Sequence, residues 1–171
     1  AALAVGHCLG ADPARMIPAA RDYAPPPHRC EFVREVGGVT WINDSKSTTL
    51  DSLEQALRGC RGGVVLIAGG KNKGFDFAPV APVVKVHARA AVLIGEMRSS
   101  IARDWAEAAS CHPVDTLAAA VAKAHELAQP GDTVLFSPGT SSFDMFRSYE
   151  ERGDFFKQLT HHIQPHTTTT P

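Results

Sequence analysis

Two uninterrupted apolar runs place the strongest limit on the fold of this chain. Residues 63–70 have the sequence GVVLIAGG and residues 89–96 have RAAVLIGE, so that glycine follows the apolar residues in each run. A strand that is apolar at every position is buried on both faces, as occurs in parallel sheets covered by helices. Segments with helical spacing separate these runs from other strand-like segments, and the pattern therefore predicts repeated βαβ units.

The remaining segments fit an α/β sheet with helices on both faces. The two earliest strand-like segments are joined by Gly37-Gly38, a sequence typical of a β-hairpin turn. We therefore expect a mostly parallel sheet with an antiparallel N-terminal edge hairpin. The predicted strands are 30–36, 39–44, 63–70, 89–96, 112–116 and 131–139, and the predicted helices are two in the first 24 residues and 48–58, 77–88, 97–109, 117–128 and 141–163. Pro82 predicts that the segment 77–88 is either a broken helix or a looser crossover.

Composition limits the class of the protein. With 171 residues, 44% of them hydrophobic, the chain suits one α/β domain with a short addition. A net charge of −1 gives no electrostatic reason to expect binding to nucleic acid or to an acidic membrane. The four cysteines are far apart and lack metal-ligand spacing, which predicts reduced thiols, no metal site and a cytoplasmic protein. No apolar run approaches the roughly 18 residues of a membrane span, and the N-terminus lacks the basic region of a signal peptide.

Prolines and a polar C-terminus divide the chain into three predicted parts. Residues 1–27 combine helical segments with the proline-rich linker APPP, and the chain starts within an apolar helix, as expected for a piece of a longer protein. Strands and helices alternate regularly over residues 28–163. We predict a disordered tail at 164–171, where threonine and proline dominate.

Polar side chains crowd three strand ends beyond the needs of a turn. These ends are NDSKST at 43–48, GGKNKGFDF at 69–77 and SPGTSSFDMF at 137–146. Ligands of open parallel sheets bind outside the carboxyl ends of the strands, so we expect the three loops to meet at one edge. Their cations, hydroxyls and backbone amides together favour an anionic small molecule. A fourth strand end, GEMRSS at 95–100, resembles an ordinary helix start.

Each loop also has an ordinary structural interpretation. Asp44 can accept hydrogen bonds from hydroxyls, as from a ribose, and Lys46 can bind phosphate or carboxylate, but a helix cap with a surface ion pair would use the same residues. We expect Ser47 or Thr48 to cap the following helix. The second loop could be a solvated basic loop. The third could serve only to cap a helix, with Asp144 completing a capping box.

The chain resembles the C-terminal domain of the Mur ligases, the amide-forming enzymes of peptidoglycan synthesis, in six motifs that occur in the same order. They are HR at 28–29, WINDSKST at 41–48, GGKNKGFDF at 69–77, PGD at 130–132, LFSPGTSSFDMF at 135–146 and YEERGDFF at 149–156. The D-S-K signature is similar to that of the branch that adds D-glutamate. The resemblance implies a Rossmann-like Mur ligase C-terminal domain at 28–163. It also assigns residues 1–27 to the last helices of a central ATP-binding domain and a linker.

The resemblance also implies a reaction. Such a ligase uses ATP and Mg²⁺ to phosphorylate the carboxylate of UDP-N-acetylmuramoyl-L-alanine, and the amine of D-glutamate then attacks the acyl phosphate to form an amide. The C-terminal domain would bind D-glutamate and close over the nucleotide, while the central domain would bind most of the ATP and magnesium. We expect a monomer. We expect no activity from this chain alone, because it contains no G-x-x-x-x-G-K-[ST] phosphate-binding loop.

Motif matching implies a role for each of eight residues, and the chain departs from the usual motifs at two positions. The implied nucleotide-binding residues are Arg29, Asp44 (on the ribose) and Lys46, and Lys46 is also the implied catalytic residue. The implied D-glutamate-binding residues are Thr48, Lys73, Ser142, Phe143 and Tyr149, with Lys73 and Ser142 on the carboxylates. The usual D-S-K-A-T-N is D-S-K-S-T-T here, so that Thr49 replaces an asparagine, and Tyr149 occupies a position where the family often has phenylalanine.

Two other interpretations remain open at this stage. The chain could be a non-catalytic α/β small-molecule-binding module that kept the fold. It could also belong to a sister Mur ligase or a folylpolyglutamate-synthase-type ligase with another amino-acid substrate. A phosphate-binding loop encoded upstream in the same reading frame would favour a ligase, and a panel of amino acids in an amide-forming assay would separate the ligases.

Overall fold

The computed structural model describes residues 2–23 and 25–165, and a six-stranded sheet forms its centre. The strand order is β1-β2-β6-β3-β4-β5. The strands are β1 (Glu31–Val36), β2 (Val39–Asn43), β3 (Val64–Gly69), β4 (Ala88–Ile94), β5 (Ser110–Pro113) and β6 (Thr133–Phe136). The β1 and β2 strands pair antiparallel at one edge, and the other four strand pairs of the described residues are parallel. The predicted fold class is therefore confirmed.

Seven α-helices accompany the sheet in the described part of the chain. They are α1 (Ala2–Cys8), α2 (Pro13–Arg21), α3 (Leu50–Gly59), α4 (Ala81–His87), α5 (Arg98–Asp104), α6 (Leu117–Leu127) and α7 (Tyr149–His161), and a 3₁₀ turn (Ala78–Val80) precedes α4. Within residues 2–23 and 25–165, none of these helices is both long and apolar enough to cross a membrane. Most of the predicted tail, residues 166–171, lies outside the described residues.

The two faces of the sheet carry separate hydrophobic cores. Every residue of β3 is buried, as its uninterrupted apolar sequence predicts. On one face, Leu66 packs in a cluster with α3, α4 and α5 that includes Leu57 and Trp105. On the other face, Ile67 packs in a cluster with α6 and α7 that includes Phe156. The alternation of side chains along a strand sends neighbours to opposite faces, so β3 contributes to both cores.

The hairpin between β1 and β2 depends on two glycines. Gly37 and Gly38 have φ angles of 59° and 75°. A two-residue turn with positive φ at both positions matches the right-handed twist of the paired strands, and only glycine adopts it without strain. The predicted hairpin and its position are thus both confirmed, and β2 is placed beside β6 with its carboxyl end toward the loops that carry the polar motifs.

Two predicted helix starts and one predicted interruption are wrong, for local reasons. The α3 helix begins at Leu50, because Thr49 rather than Ser47 or Thr48 is in the extended N-cap conformation and accepts the backbone N–H of Ser52. The α7 helix begins at Tyr149 with Ser148 as its cap, so that most of the predicted 141–148 portion is a turn. The Pro82 ring lies in the first turn of α4, where its missing N–H is tolerated, and the helix is unbroken.

The first two helices have no buried residue. Asp12 caps α2 by accepting the backbone N–H of Ala14 at 2.9 Å. Large apolar side chains in this part are nevertheless exposed, namely Leu3, Val5, Leu9, Ile17 and Tyr23. The division of the chain at residue 27 stays a prediction.

Leu66→Ala should strongly destabilise the fold. Leu66 is fully buried and Leu9 is 79% exposed. Removing a buried leucine side chain forfeits its transfer free energy and leaves a cavity, which costs about 2–5 kcal/mol of unfolding free energy. Leu9→Ala makes the same chemical change on the surface and should alter the unfolding free energy by less than about 0.5 kcal/mol. Urea unfolding of both variants checks the contrast, and equal effects would contradict the assignment of this core.

Candidate functional site

The turn after β2 is anchored by a buried asparagine. The side-chain amide of Asn43 donates to Glu31 Oε2 and to His28 Nδ1, each at 3.0 Å. Its Oδ1 accepts the backbone N–H of Ser45 at 3.1 Å. A buried amide with both its donor and acceptor satisfied is costly to rearrange. Asn43 therefore fixes the turn to the residues that enter β1.

Asp44 connects three segments at the carboxyl end of β2. Its backbone N–H donates to the Phe136 carbonyl at 2.8 Å, Oδ1 accepts the N–H of Cys30 at 3.0 Å, and Oδ2 accepts the hydroxyl of Ser137 at 2.8 Å. Burial raises the pKa of Asp44, although the hydrogen bonds from Ser137 and Cys30 oppose this shift. Each carboxylate oxygen has a second lone pair, so the group can still accept a ligand hydroxyl.

A cleft of about 360 Å³ brings the predicted nucleotide-binding residues together. Arg29, Asp44 and Lys46 all line it, opposite the first turns of α3. His28 and Cys30, on either side of Arg29, have φ angles of 63° and 43°, a region that non-glycine residues rarely occupy. Strain of this kind persists only where surrounding contacts impose it. The backbone of this segment is therefore held in place at the rim of the cleft.

The ammonium of Lys46 lies against an aromatic ring. Its Nζ is 5.5 Å from the ring centroid of Tyr149, and the ring of His28 meets Tyr149 edge-on at 6.0 Å. The Ser45 hydroxyl donates to the Tyr149 carbonyl at 2.8 Å. The first turn of α7 thus contacts the predicted catalytic lysine, a contact that motif matching did not predict.

Arg152 of α7 is fully buried beneath these loops. Its guanidinium donates to the Ser45 hydroxyl at 3.0 Å and to the Ser45 carbonyl at 2.8 Å, and two further N–H groups each reach the Thr140 carbonyl at 3.2 Å. Burial lowers the pKa of Arg152 to about 10, so it remains a cation at neutral pH. One side chain therefore joins the turn after β2 to the loop after β6.

The residue that follows Arg152 allows the close approach of α7. A side chain at Gly153 would place its Cβ 2.2 Å from Nδ1 of His28. Motif matching assigned no role to Arg152 or Gly153. The one sequence signal for them is that they lie side by side in YEERGDFF, one of the motifs that resemble those of the Mur ligases.

The loops after β3 and β6 lie side by side. The backbone N–H of Lys71 donates to the Ser141 carbonyl at 2.9 Å, and the Thr140 hydroxyl donates to the Lys71 carbonyl at 2.6 Å. Asp144 does not cap a helix as predicted, because its Oδ2 accepts the backbone N–H of Glu96 at 3.0 Å. Topology thus brings the three predicted loops to one edge and adds a fourth, the loop after β4.

The predicted D-glutamate-binding residues are dispersed over this edge. Ser142 is buried, Thr48 and Tyr149 are half-buried, and Lys73 and Phe143 are exposed. Lys73 Nζ lies 4.9 Å from the ring centroid of Phe75. None of these five residues lines the cleft of Arg29, so the two predicted sets occupy neighbouring parts of the edge. Their roles in binding stay a prediction.

Residues 28–140 match the family described as Mur ligase, glutamate ligase domain. The chain therefore belongs to the Mur ligase family. It is 46% identical over 159 residues to the UDP-N-acetylmuramoylalanine–D-glutamate ligase of Geotalea uraniireducens. The match covers 93% of this chain and 35% of that protein. It is 50% identical over 133 residues to the ligase of the same name from Myxococcus xanthus, covering 78% and 29%. The chain thus spans about a third of the length of these curated relatives.

Solved structures of related enzymes share the fold. The chain is similar to MurF from Acinetobacter baumannii with a TM-score of 0.60 and 14% identity, over 92% of this chain and 36% of that one. It is similar to MurF from Thermotoga maritima, solved in complex with ADP, with a TM-score of 0.55 and 16% identity, over 94% and 37%. Identities this low support the fold class alone.

Arg152→Met should destabilise the protein by about 3 kcal/mol, because two buried carbonyls lose their donors. Arg147→Met is the matched control, since Arg147 is exposed and its one hydrogen bond here, to Glu151, comes from the backbone N–H. Urea unfolding compares the two variants. An unfolding free energy equally insensitive to both substitutions would show that Arg152 does not hold the loops.

Asp44→Asn should accelerate the alkylation of Cys30. Burial and then the Asp44 carboxylate raise the pKa of the Cys30 thiol to about 12, which keeps the reactive thiolate scarce at pH 8. Asparagine keeps an acceptor for the Cys30 N–H while removing the charge. Cys111 is an internal control, because burial alone raises the pKa of its thiol. Iodoacetamide time courses read by peptide mass spectrometry should show a faster rate at Cys30 and an unchanged rate at Cys111. Cys60 should also react faster, because the same carboxylate raises the pKa of its thiol. An unchanged Cys30 rate would contradict the coupling.

Proposed function

We propose that this chain is the D-glutamate-binding C-terminal domain of an ATP-dependent ligase that adds D-glutamate to UDP-N-acetylmuramoyl-L-alanine in peptidoglycan synthesis. Membership of the Mur ligase family supports this proposal, as do the names of relatives that are 46% and 50% identical. The observation that carries it is the convergence of Arg29, Asp44 and Lys46 on one cleft at the carboxyl ends of adjacent parallel strands. Ligands of this fold bind at such an edge.

The charges in the cleft suit an adenine nucleotide. Arg29 and Lys46 offer two cations to phosphate oxygens, and Asp44 offers a carboxylate to the hydroxyls of a ribose. Within residues 2–23 and 25–165, no group of three or more His, Cys, Asp or Glu side chains could hold a metal ion. We propose that the Mg²⁺ of ATP is bound mainly by the rest of the longer protein.

The proposed reaction has two steps. A carboxylate oxygen of UDP-N-acetylmuramoyl-L-alanine attacks the terminal phosphorus of ATP, and ADP leaves. The amine of D-glutamate then attacks the carbonyl carbon of the acyl phosphate, and phosphate leaves as the amide forms. Lys46, as the proposed catalytic residue, stabilises the negative charge that accumulates around the phosphoryl group and the reacting carboxylate. Its ammonium lies over the ring of Tyr149, 5.5 Å from the ring centroid.

The two lysines of the loop after β3 differ in whether a carboxylate already pairs with them. Lys71 Nζ is paired with Glu96 Oε1 at 2.7 Å. No carboxylate of the described residues lies within ion-pair distance of Lys73, which is exposed near the ring of Phe75. This difference supports Lys73 as the cation for a D-glutamate carboxylate, with Ser142, Thr48, Phe143 and Tyr149 completing the proposed site.

The exposed apolar side chains of α1 and α2 support a further part of the proposal. Helices without a buried residue are unusual in a stable domain, since helical stability comes mainly from packing of an apolar face. We propose that residues 1–27 form the end of a preceding ATP-binding domain and the linker to it. We also propose that the enzyme is cytoplasmic, where ATP and the uridine nucleotide are available to it, and that it is a monomer.

Lys73→Ala in the full-length protein should raise the KM for D-glutamate about tenfold or more, with a smaller effect on the KM for ATP. Loss of a charge-assisted hydrogen bond costs about 1.5–3 kcal/mol, and 1.4 kcal/mol corresponds to a factor of ten. Steady-state phosphate release with UDP-N-acetylmuramoyl-L-alanine as acceptor measures both constants. Lys85→Ala is the control, because Lys85 is also an exposed lysine but lies on α4.

Two results would contradict the proposal. An unchanged kcat/KM for D-glutamate in Lys73→Ala would remove Lys73 from the site. A wild-type preference for meso-diaminopimelate or L-alanine over D-glutamate, in a panel of amino acids, would overturn the substrate.

A further inference from the structure

The carboxylate of Glu96 accepts two hydrogen bonds from the loop after β3. Its Oε1 pairs with Lys71 Nζ at 2.7 Å, and its Oε2 accepts the backbone N–H of Asn72 at 3.1 Å. Two acceptor oxygens on one rigid group define both the position and the orientation of this loop segment. Lys73 is the next residue along the chain. The contacts of Glu96 therefore set where the chain places the proposed D-glutamate-binding lysine.

Glu96 is itself held by the loop after β6. Asp144 Oδ2 accepts the backbone N–H of Glu96 at 3.0 Å, and Asp144 lies two residues after Ser142. A Cβ at Gly95 would lie 2.2 Å from that carboxylate oxygen and 2.6 Å from the Cα of Gly70. Glycine at this position lets the three loops approach one another. The connection from Ser142 to Lys73 thus runs through Asp144, Glu96 and the 71–72 backbone.

Further contacts distinguish this arrangement from an isolated surface ion pair. The N–H of Met97 donates to the Gly70 carbonyl at 3.1 Å, next to the paired Lys71. The hydrogen bonds from Lys71 and then Asn72 lower the pKa of Glu96, so its carboxylate stays ionised at neutral pH. An exposed pair contributes little to global stability. Its effect here is to restrict a loop rather than to stabilise the fold.

We propose that Glu96 is a positioning residue for D-glutamate, which holds the 70–74 loop against the 138–144 loop and so sets the separation between Lys73 and Ser142. The inference rests on the proposed function. Glu96 contacts neither the nucleotide cleft nor Lys46, so it acts on the binding of the amino acid and not on phosphoryl transfer. Specificity for the length of the amino-acid side chain follows from that separation, since two anchored groups must meet two carboxylates.

The test is steady-state kinetics of Glu96→Gln in the full-length protein, with Glu126→Gln as the matched control. Glutamine keeps an acceptor for the Asn72 N–H but loses the charge that holds Lys71, so we expect about a tenfold higher KM for D-glutamate. We expect kcat and the KM for ATP to change less than about twofold, and the Tm to stay within about 1 °C of wild type. Glu126 pairs with Lys123 at the same 2.7 Å on α6, and its substitution should leave all these values unchanged.

A charge exchange distinguishes positioning from a general structural role. Glu96→Lys should raise the KM for D-glutamate more than Glu96→Gln does, because it places two ammonium groups together. Combining it with Lys71→Glu restores the ion pair but not the acceptor for Asn72, so the KM should recover in part.

The outcomes separate this inference from the proposed function. D-glutamate-dependent activity of the wild-type protein, together with an unchanged KM in Glu96→Gln, would overturn the role of Glu96 alone. Failure of the wild-type protein to use D-glutamate would overturn the proposed function first. A lower Tm accompanied by equal losses in every kinetic constant would also overturn the positioning role, because it would mark Glu96 as a stabilising residue only.

Discussion

The buried guanidinium of Arg152 is the interaction on which the arrangement of the site depends. A cation removed from water is tolerated only where its donors are satisfied, and here the Ser45 hydroxyl, the Ser45 carbonyl and the Thr140 carbonyl satisfy them. These acceptors belong to two loops that are distant in sequence but follow adjacent parallel strands. The requirement to satisfy one charge thus forces the turn after β2 and the loop after β6 into a single relative position.

The site divides into a buried framework and exposed ligand-binding groups. Asn43, Asp44, Ser45 and Arg152 are buried. Ser45 is hydrogen-bonded to both Asn43 and Arg152, and Asp44 accepts the hydroxyl of Ser137, so packing and hydrogen bonds set their positions. Lys73 and Phe143 are exposed on loops, and Lys46 is half-buried against Tyr149. A long side chain on a fixed backbone can reach a ligand without moving the fold, which suits a domain proposed to close over a nucleotide held elsewhere.

Glu96 shows how an unremarkable sequence can carry a positioning role. The segment G-E-M-R-S-S predicts only the start of a helix, and a helix does begin at Arg98. The carboxylate is nevertheless directed to Lys71 and Asn72, because parallel strands β3 and β4 end side by side. The pairing joins residues that are 25 positions apart in sequence. No local pattern encodes such a contact.

The predicted helix boundaries failed where tertiary contacts competed with local capping preferences. The motif around Ser141 satisfies the rule for a capping box, yet Asp144 bonds to Glu96 and the helix starts at Tyr149. Thr49, whose role motif matching left unassigned, caps α3 instead of the two hydroxyl residues before it. Each of the hydroxyl residues Ser47, Thr48 and Thr49 is suited to cap a helix. Which of them does so depends on where the turn after β2 ends.

The sequence by itself determined the fold class, the antiparallel hairpin and the three polar loops, because these follow from hydrophobic periodicity, glycine conformation and the common edge of parallel strands. It also determined the family, because its motifs occur in a recognisable order. Only the tertiary structure decided that Arg152 joins two loops, that Glu96 holds a third and that Lys73 rather than Lys71 lacks an acidic partner among the described residues. These are contacts between distant residues, and they exist only once the strand order has placed their loops together.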